Sequence, residues 1–161
     1  MPEVIADTSV IQYLSQTNYL FLLPSLYGNI SLPNAVRDEL ETGQNLGILL
    51  PKPTDFAWIQ LVYVGEQSLV PQIPGLGQGE REVISLAVNR SGSLALLDDG
   101  LARQYPKRLE IGVTGTLGVL LKAKQSGLIG EVGSVLDALN QFGFRISEET
   151  RLGVLRLAAE A

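Results

Sequence analysis

The sequence predicts an α/β protein of three layers, with helices on both faces of a central parallel, doubly wound sheet. Three observations predict it. Short apolar runs of strand length alternate with segments of helical spacing from Glu3 to the C-terminal tail, and that alternation marks βα units and a parallel sheet. The chain has 161 residues, 45% of them hydrophobic, enough for one core and one domain over 1–161, with 146–161 as a helical tail. Two of the apolar runs end directly on acids, Asp7 in one case and Asp98 with Asp99 in the other. In an open parallel sheet such positions fall at the carboxyl edge, where ligands bind.

Each element follows in order. Glu3-Val-Ile-Ala-Asp7 is a short strand, Thr8 to Gln16 begins a helix, and a second apolar helical segment lies around Tyr19–Tyr27. Asn29-Ile-Ser-Leu32 is a strand. Pro33 suits the first turn of a helix that runs through Leu40 and stops near Gly43. From Gln44 to Gly79 prolines punctuate the chain, and only Trp58 to Val64 has strand character. Gly75, Gly77 and Gly79 make a flexible loop opening a helix at about Glu80. Leu94–Leu97 is a buried strand, Gly100–Tyr105 a short helix and Leu109–Val113 another strand. Helices over Thr116–Ser126 and Glu131–Phe142 follow, with a last one after Ser147.

Composition narrows the chemistry. The chain holds no histidine and no cysteine, which excludes imidazole bases, disulfides and thiolate or His-rich zinc sites. Hydrolysis would have to rest on carboxylates, hydroxyls, lysine or tyrosine, and carboxylate oxygens suit hard ions such as Mg²⁺ or Mn²⁺. The net charge of −5 offers no bulk attraction for nucleic acid. Locally, Arg103, Lys107, Arg108, Lys122 and Lys124 form a basic stretch, for which a solvated helix face is the ordinary use. No apolar stretch approaches membrane-spanning length, since Pro24 interrupts the nearest one, and the N-terminus lacks a basic signal-peptide region. A cytoplasmic protein is expected.

Asp7, Asp98 and Asp99 stand at the expected site edge, although an acid after a strand often merely caps the next helix. Glu39 borders the core-facing stripe of Val36 and Leu40, while Asp38 and Glu41 project away. Glu80 shares a helical face with Val83, Ile84 and Ala87; Glu82 points largely elsewhere. An inward carboxylate without a partner is costly, so Glu80 is the better ligand candidate.

In this order, Ile5-Ala-Asp7-Thr-Ser, Leu32-Pro-x-Ala-Val-x-x-Glu39-Leu, Gly77-x-Gly-Glu80-x-Glu82 and Leu96-Leu-Asp-Asp99-x-x-Ala-Arg103 resemble the PIN-domain ribonucleases. Val113-Thr-Gly-Thr116-Leu-Gly and the tail Gly143-Phe-Arg-Ile-Ser147 add to the resemblance, which spans nearly the whole chain and is nearest to short prokaryotic proteins related to VapC-type toxins. It implies a PIN-like fold and an Mg²⁺- or Mn²⁺-dependent endoribonuclease, with Asp7, Glu39 and Glu80 as the first three acids. The fourth falls on Asp98 or Asp99. Many relatives carry Asp where this chain has Glu80, and the usual Thr-x-Asp near the fourth acid is missing here. Thr114 or Thr116 is the candidate replacement hydroxyl. Arg103 has two uses open to it, an ion pair with the cluster or a contact with substrate phosphate. Lys107 and Arg108, with Lys122 and Lys124, are further candidates for holding an RNA backbone.

The resemblance also implies a small antitoxin partner and a homodimer. A phosphotransfer receiver would want an acidic pair after the first strand, and a haloacid-dehalogenase-like phosphatase Asp-x-Asp; Asp7-Thr-Ser supplies neither. The remaining rival is a PIN-like module that binds RNA or protein without catalysis.

Overall fold

The structure is a computed structural model describing residues 2–66 and 69–161. Its sheet has five strands, β1 (Val4–Ala6), β2 (Ile30–Pro33), β3 (Ile59–Val62), β4 (Leu94–Leu96) and β5 (Gly112–Thr114). They lie in the order β3-β2-β1-β4-β5, every pair parallel. Chain order thus runs outward from β1 to β3 and then returns to β1's other side for β4 and β5. That reversal defines the switch point of a doubly wound sheet, between β1 and β4, from which the connecting segments diverge.

The connections are helical: α1 (Thr8–Gln16), α2 (Leu22–Tyr27), α3 (Asn34–Asn45), α4 (Gln78–Asn89), α5 (Gly100–Arg108), α6 (Thr116–Gln125), α7 (Gly133–Gln141) and α8 (Glu148–Leu157). Strands β1 and β2 are buried at every position, as befits a sheet covered on both faces. In α1 the buried residues Val10, Ile11 and Leu14 make one inward stripe. Truncating fully buried Leu14 to Ala would cost about 2–5 kcal/mol. The core continues through Val83, Ile84 and Ala87 of α4 and Val119 and Leu120 of α6.

The three-layer α/β/α architecture agrees with the fold class read from the sequence, and local boundaries shift for identifiable reasons. Pro33 closes β2 and occupies the N-cap position, so α3 begins one residue later at Asn34. Helix α5 extends beyond Tyr105 to Arg108, with Pro106 accommodated inside it. Leu109 and Glu110 consequently form a turn, Glu110 in the left-handed region at φ 58°, and β5 starts only at Gly112.

Candidate active site

The switch point fixes where the acids meet. The Asp7 amide donates to the carbonyl of Leu96 at 3.0 Å, tying the end of β1 to the end of β4. Asp7 leaves β1 and Asp98 leaves β4, so the two enter the same crevice. Glu39 reaches it from α3 and Glu80 from the first turn of α4. Together with Asp99 these four line an open cleft of about 490 Å³.

Asp7 occupies the N-cap position of α1 with extended backbone, yet its side chain makes no capping hydrogen bond. The residue is only 6% exposed, and its Oδ1 is buried without a hydrogen-bond partner among the described residues. A helix cap would have satisfied that oxygen. Asp99 shows the contrast: its Oδ1 accepts from the amides of Leu101 at 2.7 Å and Ala102 at 3.4 Å, a working cap of α5. Asp98 and Asp99 both line the cleft but are held differently. Asp98 adds to the repulsion on Asp7, and Asp99 spends one oxygen on α5 while still bordering the cleft and repelling Glu80.

Protein donors hold the other acids. Asp98 Oδ1 accepts from the Thr116 amide at 2.7 Å, and its Oδ2 accepts from the hydroxyls of Ser9 at 2.8 Å and Thr116 at 2.9 Å. Glu39 accepts from the Thr8 hydroxyl and from the Gly79 amide, the latter at 3.0 Å. A Cβ at position 79 would push the Glu39 carboxylate away from this amide, so glycine there permits the close approach. Glu80 Oε1 accepts from the Gly77 amide at 2.9 Å, so Glu80 also steadies its own helix start, leaving Oε2 outside that bond. Glu82 turns away from the cleft, but not to open solvent. Its Oε1 accepts from the Ala35 amide at 3.0 Å and satisfies an otherwise orphaned donor at the start of α3.

Electrostatics follow from this crowding. Burial above all pushes the Asp7 carboxyl up to about 8; repulsion from Glu80, Glu39 and Asp98 adds to it, and the Thr8 amide opposes it. Glu80 is also raised, first by burial and then by Asp99 and Glu39, against the Gly77 amide. Among the described residues no three acidic side chains are grouped closely enough, as they stand, to hold a metal ion. The donor set nevertheless fits a hard divalent cation. It is all oxygen, Asp7 Oδ1 lacks any partner, and a carboxylate with one or two hydrogen bonds keeps lone pairs to spare.

The basic stretch is placed elsewhere. Helices α5 and α6 begin at the carboxyl edge and carry the chain away from it, so Lys107, Arg108, Lys122 and Lys124 lie in their last turns. Leu109 to Gly112, just beyond Arg108, border a separate cavity with Ser93 and Leu94 at the opposite edge of the sheet. Lys124 pairs with Glu160 at 3.0 Å, and the Lys122 ammonium lies 4.6 Å from the centre of the Tyr27 ring. Arg103 and Thr114 do not line the cleft either. The Nε of Arg103 is buried without a partner, and the Thr114 carbonyl accepts from the Leu97 amide at 2.8 Å. Arg103, Lys107, Arg108 and Thr114 thus stand outside the lining of the acidic cleft, and Thr116 joins it through Asp98.

Sequence reasoning passed over the hydroxyls of Thr8 and Ser9, which follow Asp7 directly and orient Glu39 and Asp98. It also passed over Gln12, Tyr13, Phe144 and Arg145, which complete the cleft. The i, i+1, i+2 run Asp-Thr-Ser at a strand end was the available signal for the first two. Gln12 and Tyr13 lie one turn further along α1, and Phe144 and Arg145 sit in the tail motif Gly143-Phe-Arg-Ile-Ser147, which marked a resemblance but no role.

A doubly wound α/β protein with acids gathered at its switch point has the form of a nuclease-type module. A family model described as a PIN domain matches residues 3–160, and the chain belongs to that family. Comparison with curated proteins and with solved structures gave no match.

Proposed function

We propose that this protein is an Mg²⁺- or Mn²⁺-dependent endoribonuclease, acting in the cytoplasm as the toxin of a toxin–antitoxin pair. The observation that carries the catalytic part is Asp7. It is a buried carboxylate with an unpartnered oxygen, at a helix start it does not cap, facing three other acids. Evolving such a site only for stability makes little sense, because burying and crowding charge costs free energy.

In this reading Asp7, Glu39, Glu80 and Asp98 hold the ion, and Asp99 stands at the border of the cleft. When bound, the ion supplies an activated water and neutralises charge on the phosphodiester. The chain's own task is orientation. Ser9 and Thr116 fix the Asp98 carboxylate from two sides, and Thr8 with the Gly79 amide fixes Glu39. Glu80 keeps Oε2 outside its bond to the Gly77 amide, an acceptor suited to orienting the attacking water. RNA is the substrate implied by the family, and a small antitoxin and a second copy of the chain are the proposed partners.

Incubating purified protein with RNA in Mg²⁺, in Mn²⁺ and in excess chelator tests the activity. Cleavage confined to the metal-containing samples is expected, and undiminished cleavage in chelator would overturn the reading. RNA that is bound but never cut with either ion would instead define a binding module. For the toxin role, expression of the chain alone should arrest growth, with relief by the product of a short neighbouring gene.

A further inference from the structure

Helix α7 ends in a turn that delivers the tail to the acidic cleft. Gly143, at φ 91°, donates its amide to the carbonyl of Asn140 at 3.1 Å, and Phe144 donates to Leu139 at 3.0 Å. This is the paired hydrogen-bond pattern of a Schellman motif, which requires the left-handed conformation glycine adopts without strain. The chain then continues without regular secondary structure to Ser147, and the Phe144 ring meets Tyr13 of α1 edge to face, centroids 4.9 Å apart at 86°. Arg145 follows, exposed, on the lining of the same cleft as Asp7, Glu39, Glu80 and Asp98.

Arg145 is the only basic residue on that lining among the described residues. Among the described residues it forms no salt bridge, although acids surround the cleft. Elsewhere Arg37, Arg90 and Arg151 each pair with a carboxylate. An unpaired guanidinium held beside, but not on, a carboxylate cluster leaves space between opposite charges for a group that satisfies both. A phosphodiester segment does so: one phosphate faces the acids through their cation, and a neighbouring phosphate accepts the planar, forked donors of arginine. The adjoining Tyr13 and Phe144 rings offer an apolar surface on which an unstacked base can rest. Gln12 adds an amide able to reach a base edge or ribose.

We infer that Arg145, with the Tyr13–Phe144 pair, forms a subsite for an unpaired nucleotide next to the scissile phosphate. The inference rests on the ribonuclease reading for its substrate class but is tested separately, by binding. The probe is a fluorescein-labelled random-sequence single-stranded RNA of about ten nucleotides, followed by anisotropy with Ca²⁺ in place of Mg²⁺ or Mn²⁺ across a salt series. Losing one phosphate contact reduces the salt slope by about 0.7 for a single strand. Arg145→Ala should show that reduction and weaken binding about tenfold. Arg145→Lys should restore the slope but not the full affinity. Arg156→Ala, an exposed arginine of α8 outside the cleft, should match wild type. Phe144→Leu should weaken the single strand while leaving the salt slope intact, and a fully paired hairpin should bind wild type more weakly than the single strand.

An Arg145→Ala protein with wild-type affinity and slope overturns the subsite even if metal-dependent cleavage is intact. So does wild-type protein that fails to bind the probe at low salt, or that binds the hairpin as tightly. Binding that depends on Arg145 without cleavage in Mg²⁺ or Mn²⁺ upholds the subsite and removes the ribonuclease reading.

Discussion

Asp7 and Glu160 are both carboxylates held against the protein, and their surroundings drive them in opposite directions. Glu160, just beyond α8, accepts from the Val132 amide at 2.6 Å, the Gly133 amide at 3.0 Å and the Lys124 ammonium at 3.0 Å. Those donors pull its carboxyl down to about 2. Asp7 is buried with one oxygen unpartnered and other acids around it, and is pushed up to about 8. The first arrangement is how a protein uses a carboxylate as a clamp, here fastening the C-terminal helix to the start of α7. The second stabilises nothing in the protein alone. It makes sense where a cation or proton is meant to arrive.

If that contrast is right, substitutions should separate cleanly into those that remove chemistry and those that remove stability. The largest effect is expected at Glu80. Glu80→Gln preserves an acceptor for the Gly77 amide, so the helix start survives, but removes a charge from the cluster. RNA cleavage should fall on the order of 100-fold or more, with little change in Tm. Glu82→Gln, two residues away but turned to Ala35, should keep activity within about tenfold of wild type. Equal losses from the two would erase the distinction between cleft acid and helix anchor.

A smaller loss is expected from Thr116→Val, which deletes the hydroxyl that reaches Asp98 Oδ2 and leaves the amide bond to Oδ1 in place. Cleavage should drop about tenfold, the usual consequence of loosening a ligand through its support. Unchanged cleavage kinetics would mean Asp98 is held well enough by Ser9 and the Thr116 amide.

Glu160→Ala should leave cleavage alone and act on stability. The lowered pKa of Glu160 means that its folded state binds fewer protons than the unfolded one between the ordinary carboxylate value and about 2. Its contribution is therefore fully present above that window and is lost as pH falls through it. Thermal melts should show Glu160→Ala below wild type at neutral pH, with the gap closing toward pH 2. A gap that stayed constant would assign the effect to packing of the tail instead of charge.

Much of this was legible in the sequence because strand–helix alternation and the acids at strand ends are local signals. Val4–Ala6 followed by Asp7, and the apolar run Leu94–Leu97 followed by Asp98, place both acids at one edge as soon as the sheet is parallel. The phase of α4 likewise put Glu80 toward the cleft and Glu82 aside, though not the partner Glu82 finds in Ala35. What escaped depends on where helices end. The lysines of α5 and α6 look close to the acids in sequence, yet each helix carries them down to the far edge of the sheet. Arg145 looks remote and is brought in by a single left-handed glycine. Gly79 was read as flexibility, whereas its role is to let the Glu39 carboxylate approach the backbone.

The central claim, that Asp7 is a ligand and not a cap, is tested most directly by melting wild type and Asp7→Asn in chelator and in saturating Mg²⁺ or Mn²⁺ between pH 5 and 9. A raised acid pKa means the folded state binds more protons than the unfolded one, so the cost of Asp7 grows as pH climbs from the ordinary carboxylate value through about 8. In chelator, Asp7→Asn should therefore melt above wild type, by about 1 kcal/mol or more at neutral pH, with the advantage shrinking toward pH 5. Saturating metal should shrink or reverse the order, because the ion stabilises only the protein that binds it. An Asp7→Asn protein that melts below wild type in chelator, with metal leaving both unmoved, would contradict the account and return Asp7 to the role of a structural residue.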